Sequence, residues 1–233
     1  MTEKEKLQIF EKKLNYKFKK IELLKIALIH KSYAYEIGTV NKMEYNERIE
    51  FLGDAILEHV ISEMLYIQTP KLREGQMTKK RAAIVCETSL SIAMKRIGGQ
   101  DFLYLGKCEE TTNGKQKDAI LADAMEAIIG AIYLDGGYEC VKKFILNTLD
   151  KEIQIVLSGG NFNTDYKTKL QEKLQENGNV KIEYVLVDES GPEHDKVFKV
   201  ELLFNDKKIG EGVGKSKKHA EQEAAKYALE NSI

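Results

Sequence analysis

The sequence predicts an all-α domain over residues 1–157, then a short linker and a small α+β domain with the element order α-β-β-β-α. The first observation is helical periodicity up to Val156, with no stretch that alternates as a strand. The second is the run Ser158-Gly159-Gly160-Asn161, which is typical of a linker. The third is alternating periodicity beyond that run. We therefore expect a linker over residues 158–163 and a second domain over residues 164–233.

Composition limits the class of protein. A length of 233 residues allows one large or two modest domains, each with its own core, and we favour two. A formal net charge of −1 predicts that any basic patch is local. The Lys- and Glu-rich start over Met1–Phe18 excludes a secretory signal, and no uncharged run reaches the ~20 residues of a membrane span. Cys86, Cys108 and Cys140 form no C-x-x-C pattern, which favours reduced thiols. We expect a soluble, cytoplasmic protein without a membrane partner.

The helices of the first domain follow from periodic segments and the signals that end them. Thr69-Pro70 ends the longest helix, and Gly136-Gly137 caps a later one. The polar stretch Gly106–Lys117 predicts a loop, and His30 is expected to pack or to cap a helix rather than to bind a metal. The predicted helices are Lys4–Leu14, Lys20–Ile29, Asn46–Gln68, Glu74–Ile97, Asp118–Asp135 and Tyr138–Val156.

The second domain has clear strand signals. Residues 182–187 alternate as a strand, and residues 197–204 form the next one. Asn205-Asp206 predicts a two-residue hairpin turn into a third strand. Helices are expected over Tyr166–Gln175 before the strands and from Ser216 to about Leu229 after them.

The segment Asn46–Leu57 has an unusual distribution of charge. On a helix, Glu47, Glu50 and Asp54 share one stripe, and apolar side chains surround them on nearly all other sides. Removing an ionised carboxylate from water costs several kcal/mol, roughly, unless a cation meets it. The stretch therefore predicts a nearby counter-charge.

A second segment, Ala119–Leu134, carries only Asp123 and Glu126, which lie on one face. If the two helices pack face to face, Glu50 and Asp54 meet these two acids with no nearby Lys or Arg from either segment. Two interpretations stay open here: two structural pairs of acids, or a site for a divalent cation. Oxygen ligands without Cys or His favour Mg²⁺ or Mn²⁺ over zinc.

A cluster of Lys215, Lys217 and Lys218 marks the start of the last helix. Helix N-termini favour phosphates, but a run of charges is also typical of a solvated face. The neighbouring run Gly210–Ser216 is similar to a nucleotide-binding P-loop, but only three residues separate Gly210 from the final Gly-Lys-Ser, where a P-loop has four. We expect no nucleotide cofactor.

Taken together, these motifs resemble the ribonuclease III family. Residues 46–54, Asn-Glu-Arg-Ile-Glu-Phe-Leu-Gly-Asp, resemble its nine-residue signature, and residues 121–131 resemble its second acidic motif. Residues 168–171, 191–194 and 214–225 resemble the three RNA-contacting regions of a double-stranded RNA-binding domain. The resemblance covers nearly the whole chain, in the order of the bacterial enzyme.

The resemblance implies a role for each acid. Glu50, Asp54, Asp123 and Glu126 match the carboxylates that hold catalytic Mg²⁺, for which Mn²⁺ is a plausible substitute, and Asp54 and Glu126 match the most direct catalytic pair. The resemblance also implies accessory acids at Glu47 and Glu74 and an aromatic residue at the seam of a homodimer at Phe51. For Glu74, an acid that stabilises the first turn of its helix is the alternative.

For the second domain, the resemblance implies a surface that binds double-stranded RNA. A-form RNA is recognised by shape, 2′-hydroxyls and phosphates over about 16 base pairs. Gln171 and His194 are expected at the minor grooves and the three lysines at the phosphates between them. The full set of expected RNA-binding residues is Thr168, Gln171, Pro192, His194, Lys215, Lys217 and Lys218.

The activity implied is Mg²⁺-dependent hydrolysis of double-stranded RNA by activated water, leaving 5′-phosphate and 3′-hydroxyl ends with short 3′ overhangs. Processing of ribosomal RNA precursors and other structured transcripts, including messenger and transfer RNA, is expected with it. Two alternatives remain. A non-catalytic RNA-binding protein of the same fold is disfavoured by the four intact acids, and an unrelated metal phosphohydrolase of small nucleotides is disfavoured by the RNA-binding domain.

Overall fold

A computed structural model describes residues 2–37, 45–162, 166–175, 181–191, 196–214 and 216–231 of the chain. The chain divides into two compact units, Met1–Asn163 and Thr164–Ile233. Phe162, which lies inside the predicted linker, packs against the core of the first unit.

As the sequence predicts, the described residues of the first unit form helices joined by turns and loops. The exception is an isolated bridge between Ile29 and Tyr104. Two 3₁₀ turns, Gly99–Phe102 and Gly114–Gln116, accompany the α-helices. The helices are α1 Glu3–Leu14, α2 Ile21–Ala27, α3 Lys31–Glu36, α4 Glu47–Gln68, α5 Glu74–Ile84, α6 Glu87–Arg96, α7 Lys107–Thr111, α8 Asp118–Gly136, α9 Tyr138–Thr148 and α10 Asp150–Leu157.

Helix α8 forms the centre of this unit. Its apolar side chains are buried around nearly the whole circumference, which is typical of a helix with neighbours on all sides. Helices α2, α4, α6 and α9 pack against it. Side chains such as Leu57, Ile61 and Leu65 of α4 complete the core beside Leu121 and Met125. Because α4 and α8 carry the two acidic segments, this packing positions the candidate site.

The predictions of single helices over Glu74–Ile97 and Tyr138–Val156 were wrong, because the structure breaks each into two. Cys86 adopts an extended backbone with ψ 155° between α5 and α6, and Leu149, between α9 and α10, has ψ 11°. Each break lets both halves turn apolar side chains into the core, and Leu149 itself is buried. Neither break contains Gly or Pro, so tertiary packing overrides the local pattern.

The predicted loop Gly106–Lys117 contains a helical turn, α7, and one of the 3₁₀ turns. It is fixed to α3, where the backbone N–H of Gly106 donates to Ser32 Oγ at 2.9 Å. His30 caps α3 and accepts a hydrogen bond from the Ser32 N–H, which confirms its expected structural role.

The second unit has the predicted order: α11 Tyr166–Gln175, β1 Ile182–Ser190, β2 Val197–Phe204, β3 Lys207–Gly214 and α12 Lys217–Asn231. The strands form one antiparallel sheet in the order β1-β2-β3. Asn205 and Asp206 have φ values of 49° and 64°, which confirms the two-residue hairpin turn. The sheet packs against both helices through Leu170, Leu174, Leu202 and small side chains of α12.

The three cysteines are free thiols: Cys108 and Cys140 are exposed and Cys86 is partly buried. Among the described residues, the helices are all too short or too polar to cross a membrane.

Candidate metal centre and RNA-binding surface

Two glycines allow α4 and α8 to cross at contact distance. A Cβ atom on Gly130 would overlap the backbone carbonyl of Ile49 in α4, and one on Gly53 would overlap the backbone of α8. At either position, the absence of a side chain lets the two backbones touch. The acidic stripe of each helix therefore meets the other at short range.

Three of the predicted acids form a compact cluster at this crossing. Glu50, Asp123 and Glu126 each present an oxygen within 4.8 Å of the others, and all three are half-buried. Asp54 is exposed and lies outside this group of three, although its charge acts on Glu50 and Glu126. The structure thus brings oxygens of three of the four predicted acids close together and leaves Asp54 outside that group.

Burial and mutual repulsion raise the pKa values of the acids in the cluster. Burial, followed by the charges of Asp54 and Glu50, raises the pKa of Glu126 to about 8. Burial and then Asp123 raise the pKa of Glu50 to about 7. Burial raises the pKa of Asp123 as well, and the nearby acid Glu87 adds to it. The ionised cluster is unfavourable by itself.

The donor set fits a hard divalent cation. It consists of carboxylate oxygens from two helices, which is the ligand type that Mg²⁺ and Mn²⁺ prefer. A cation would also remove the repulsion that raises the pKa values of Glu50 and Glu126. The residues present therefore fit the metal that the sequence predicts.

The sequence interpretation missed two charged neighbours of the cluster. Lys31, at the start of α3, places its Nζ 3.0 Å from Glu47 Oε1. Its charge lowers the pKa of Glu50 and Asp123 against the larger effect of burial. Glu87 starts α6 and acts on Asp123. Both come from other segments of the chain, so the two acidic motifs contain no signal for them.

The two accessory acids lie in different places. Glu47 is exposed in the first turn of α4, beside the cluster, where it pairs with Lys31. Glu74 is exposed at the start of α5, accepts a hydrogen bond from Thr78 Oγ1 at 2.9 Å, and lines a groove with Tyr66 near the other end of α4. Within one chain the structure does not bring Glu74 to the group of three.

Phe51, the predicted dimer residue, projects from α4 with 80% of its surface exposed. Large aromatic side chains of this kind are enriched in protein interfaces. Phe51 directly follows Glu50, so the two residues share a turn of α4.

Only part of the predicted RNA surface lies among the described residues. Gln171 is exposed on α11, and Lys217 is exposed at the first position of α12, with its Nζ 5.9 Å from the centre of the Phe198 ring. Ser216 Oγ accepts a hydrogen bond from the His219 N–H and so caps α12. Pro192, His194 and Lys215, and the side chains of Thr168 and Lys218, lie outside the described part of the structure.

Comparison with protein-family models gives two matches. Residues 20–153 match the model described as Ribonuclease-III-like. Residues 166–232 match the double-stranded RNA binding motif. The first match contains the acid cluster, and the second contains all of the described second unit.

Similar proteins extend over nearly the full chain. A Clostridium tetani protein named Ribonuclease 3 is 44% identical over 231 residues, which covers 97% of this chain and 94% of that protein. A Ribonuclease 3 of Caldanaerobacter subterraneus is 48% identical over 223 residues, or 96% of each chain. A solved nuclease domain of ribonuclease III from Campylobacter jejuni has a TM-score of 0.58 and 42% identity, and covers 63% of this chain and 97% of that domain.

Proposed function

This chain belongs to the ribonuclease III family, and we propose that its carboxylate cluster is the Mg²⁺ centre at which it hydrolyses RNA. Together with the RNA binding motif in the second unit, membership of this family makes the chain an endoribonuclease of double-stranded RNA. A non-catalytic RNA-binding protein is not favoured, because relatives named Ribonuclease 3 match nearly the full length.

One observation supports the location of the centre above all others. Three carboxylates from two crossing helices, Glu50, Asp123 and Glu126, place oxygens within 4.8 Å of one another in a half-buried site. We propose that these three, with Asp54, hold Mg²⁺, and that Mn²⁺ can replace it. When bound, the ion supplies Lewis acidity, which activates a water molecule and offsets charge on the leaving oxygen.

The side chains prepare the site for that chemistry. Metal ligands must be deprotonated, so binding of the cation displaces protons from Glu126, whose pKa is about 8, and from Glu50, whose pKa is about 7. Asp54 is exposed and therefore accessible to water. Water adds to phosphorus and gives up a proton, the bond to the 3′ oxygen breaks, and that oxygen takes up a proton. The products carry a 5′-phosphate and a 3′-hydroxyl, with short 3′ overhangs in a duplex.

We propose that the second unit selects the double-stranded substrate. Gln171 is exposed on α11 and Lys217 at the start of α12, and the N-terminus of α12 favours phosphate. Thr168, Pro192, His194, Lys215 and Lys218 complete the proposed contact set. Glu47 and Glu74 are proposed as accessory acids.

We further propose that the active form is a homodimer with Phe51 at its seam. The side chain is 80% exposed, and the nuclease domain from Campylobacter jejuni has a region involved in dimer formation. Sedimentation analysis of Phe51→Asp should then show a monomer, whereas Tyr66→Asp, at a similarly exposed aromatic residue on the same helix, should leave the dimer intact. A dimeric Phe51→Asp variant would argue against this seam.

The place of action is also a proposal. Three free cysteines are typical of a reducing compartment, which supports a cytoplasmic location. There the enzyme would process precursors of ribosomal RNA, together with structured messenger and transfer RNA transcripts.

The function is tested on three substrates: long double-stranded RNA, single-stranded RNA of the same sequence, and duplex DNA. Each is incubated with Mg²⁺, with Mn²⁺ or with EDTA, and the product ends are mapped. We expect cleavage of the double-stranded RNA only, with either metal and not with EDTA. Cleavage that persists in EDTA would contradict the metal centre, and cleavage of single-stranded RNA at a similar rate would contradict the substrate.

A further inference from the structure

Lys31 occupies a fixed position beside the acid cluster. It is the first residue of α3, whose N-cap His30 donates its backbone N–H to the Tyr104 carbonyl at 3.1 Å. The backbone N–H of Asn46 donates to the Ile29 carbonyl at 2.9 Å, so the residues that precede α3 and α4 are held together. The backbone around Lys31 is therefore fixed relative to the first turn of α4.

The ammonium group of Lys31 remains accessible. Its Nζ lies 3.0 Å from Glu47 Oε1, and the two side chains are 53% and 46% exposed. Exposed pairs of this kind contribute little to stability. A contribution to the stability of the fold therefore does not account for the position of Lys31 beside Glu47.

The charge of Lys31 acts on the proposed metal centre. It lowers the pKa of Glu50 and Asp123, although burial has the larger, opposite effect on both. The ammonium group itself has its pKa raised by Glu47 and, more weakly, by Asp123. Lys31 is thus a cation next to a site otherwise rich in carboxylates.

Double-stranded RNA approaching this site brings further negative charge. A cation held by the cluster would offset charge at the reacting phosphate, whereas the exposed carboxylates of Glu47 and Asp54 would repel neighbouring phosphates. A lysine is a flexible point charge that commonly binds phosphate. The position, exposure and charge of Lys31 fit that role.

We propose that Lys31 is a substrate-binding residue of the catalytic centre, where its ammonium group, held at the rim by Glu47, binds a phosphate of the RNA strand that is cut. The proposal rests on the function proposed above. It adds a contact from the first unit to those expected from the second.

The test uses the full-length protein and the variant Lys31→Met, which keeps the length of the side chain and removes its charge. Lys31→Arg keeps the charge, and Lys25→Met removes a comparable exposed cation, paired to Glu3 at 2.9 Å on another face. RNA binding is measured in EDTA with a duplex longer than the roughly 16 base pairs that a binding domain covers. Mn²⁺ binding is measured by calorimetry without RNA.

The two measurements should move in opposite directions for Lys31→Met. RNA affinity should fall about tenfold, as for loss of one charged hydrogen bond, and its salt dependence should weaken by about 0.9 in slope. Mn²⁺ should bind roughly threefold more tightly, because a nearby positive charge is gone. Lys31→Arg and Lys25→Met should stay within about twofold of the unmodified protein.

A purely structural lysine would give a different result. Weaker binding of both RNA and Mn²⁺ in Lys31→Met would overturn the proposal, and so would unchanged RNA affinity and salt dependence. Neither measurement requires cleavage. Failure of the protein to cut double-stranded RNA would therefore contradict the proposed function, whereas the two binding measurements would still test the role of Lys31.

Discussion

The backbone of Gly53 in α4 lies directly against the carbonyl group of Glu126 in α8, with no room for even a methyl group between them. This contact joins the residue before Asp54 to the most strongly perturbed acid of the cluster. The distance between the two acidic helices, and with it the geometry of the acid cluster, is therefore set by a glycine that has no reactive side chain itself.

Gly53→Ala should separate the helices. We expect a loss of about 3 kcal/mol or more in the free energy of unfolding, because overpacking at a backbone contact has little room to relax. Displacement of the acids should lower the Mg²⁺-dependent cleavage rate on the order of 100-fold. Urea unfolding and single-turnover cleavage provide the measurements. The stability control is Gly75→Ala, since a Cβ there contacts nothing within 4 Å; equal effects in the two variants would contradict the explanation.

Glu126→Gln should retain the fold and the binding of double-stranded RNA but lose cleavage. The amide keeps the shape of the side chain while removing the charge that holds the cation, and a loss of several kcal/mol corresponds to roughly a thousandfold in rate. Glu58→Gln, at an exposed acid further along α4, serves as the control and should cleave normally. Near-normal turnover by Glu126→Gln would remove this residue from the centre.

The stability of the metal-free protein should fall as pH rises from about 5 to 8. Because the pKa values of Glu126 and Glu50 are raised from 4.5 to about 8 and about 7, the folded state binds protons more tightly than the unfolded chain between these values. Thermal unfolding in EDTA should show the decline, and Glu126→Gln should flatten it. Added Mg²⁺ should raise the melting temperature at pH 8 far more than at pH 5. A decline of equal slope in Glu126→Gln would argue against Glu126 as its source.

Lys217→Ala combined with Lys218→Ala should weaken binding of double-stranded RNA and reduce its salt dependence. Each phosphate contact contributes about 0.9 to the slope of log K against log salt, taking the value for duplex DNA as a guide. Binding titrations at several salt concentrations measure this slope. Lys208→Ala is the control, because Lys208 is already paired with Glu201 and Glu211 on the sheet. An unchanged slope in the double variant would exclude these lysines as the contact.

Arg96→Met should destabilise the first unit by about 3–5 kcal/mol, because it leaves a buried carboxylate without its partner. Arg96 forms two hydrogen bonds to Glu152, of 2.6 and 2.9 Å, and the Glu152 side chain is only 2% exposed. The double variant Arg96→Met with Glu152→Met should recover most of the loss in urea unfolding. If the double variant were no more stable than the single one, the buried charge would not be the cause.

Local signals were sufficient for much of the fold. The helix that contains Glu50 is observed over Glu47–Gln68 and ends at the predicted Thr69-Pro70 stop, and the hairpin at Asn205-Asp206 lies where turn chemistry predicted it. The breaks at Cys86 and Leu149 escaped prediction, because the helical pattern runs through both. They arise from the need of each half to reach the core, which is a property of the packed unit.

By itself, the sequence determined the chemistry that this protein can offer. The spacing of Glu50 and Asp54, and of Asp123 and Glu126, puts carboxylates on helix faces, since side-chain direction along a helix is fixed within a few residues. Only the tertiary structure decided which of these oxygens lie close together and that Lys31 pairs with Glu47, because contacts between distant segments depend on how closely the backbones pack.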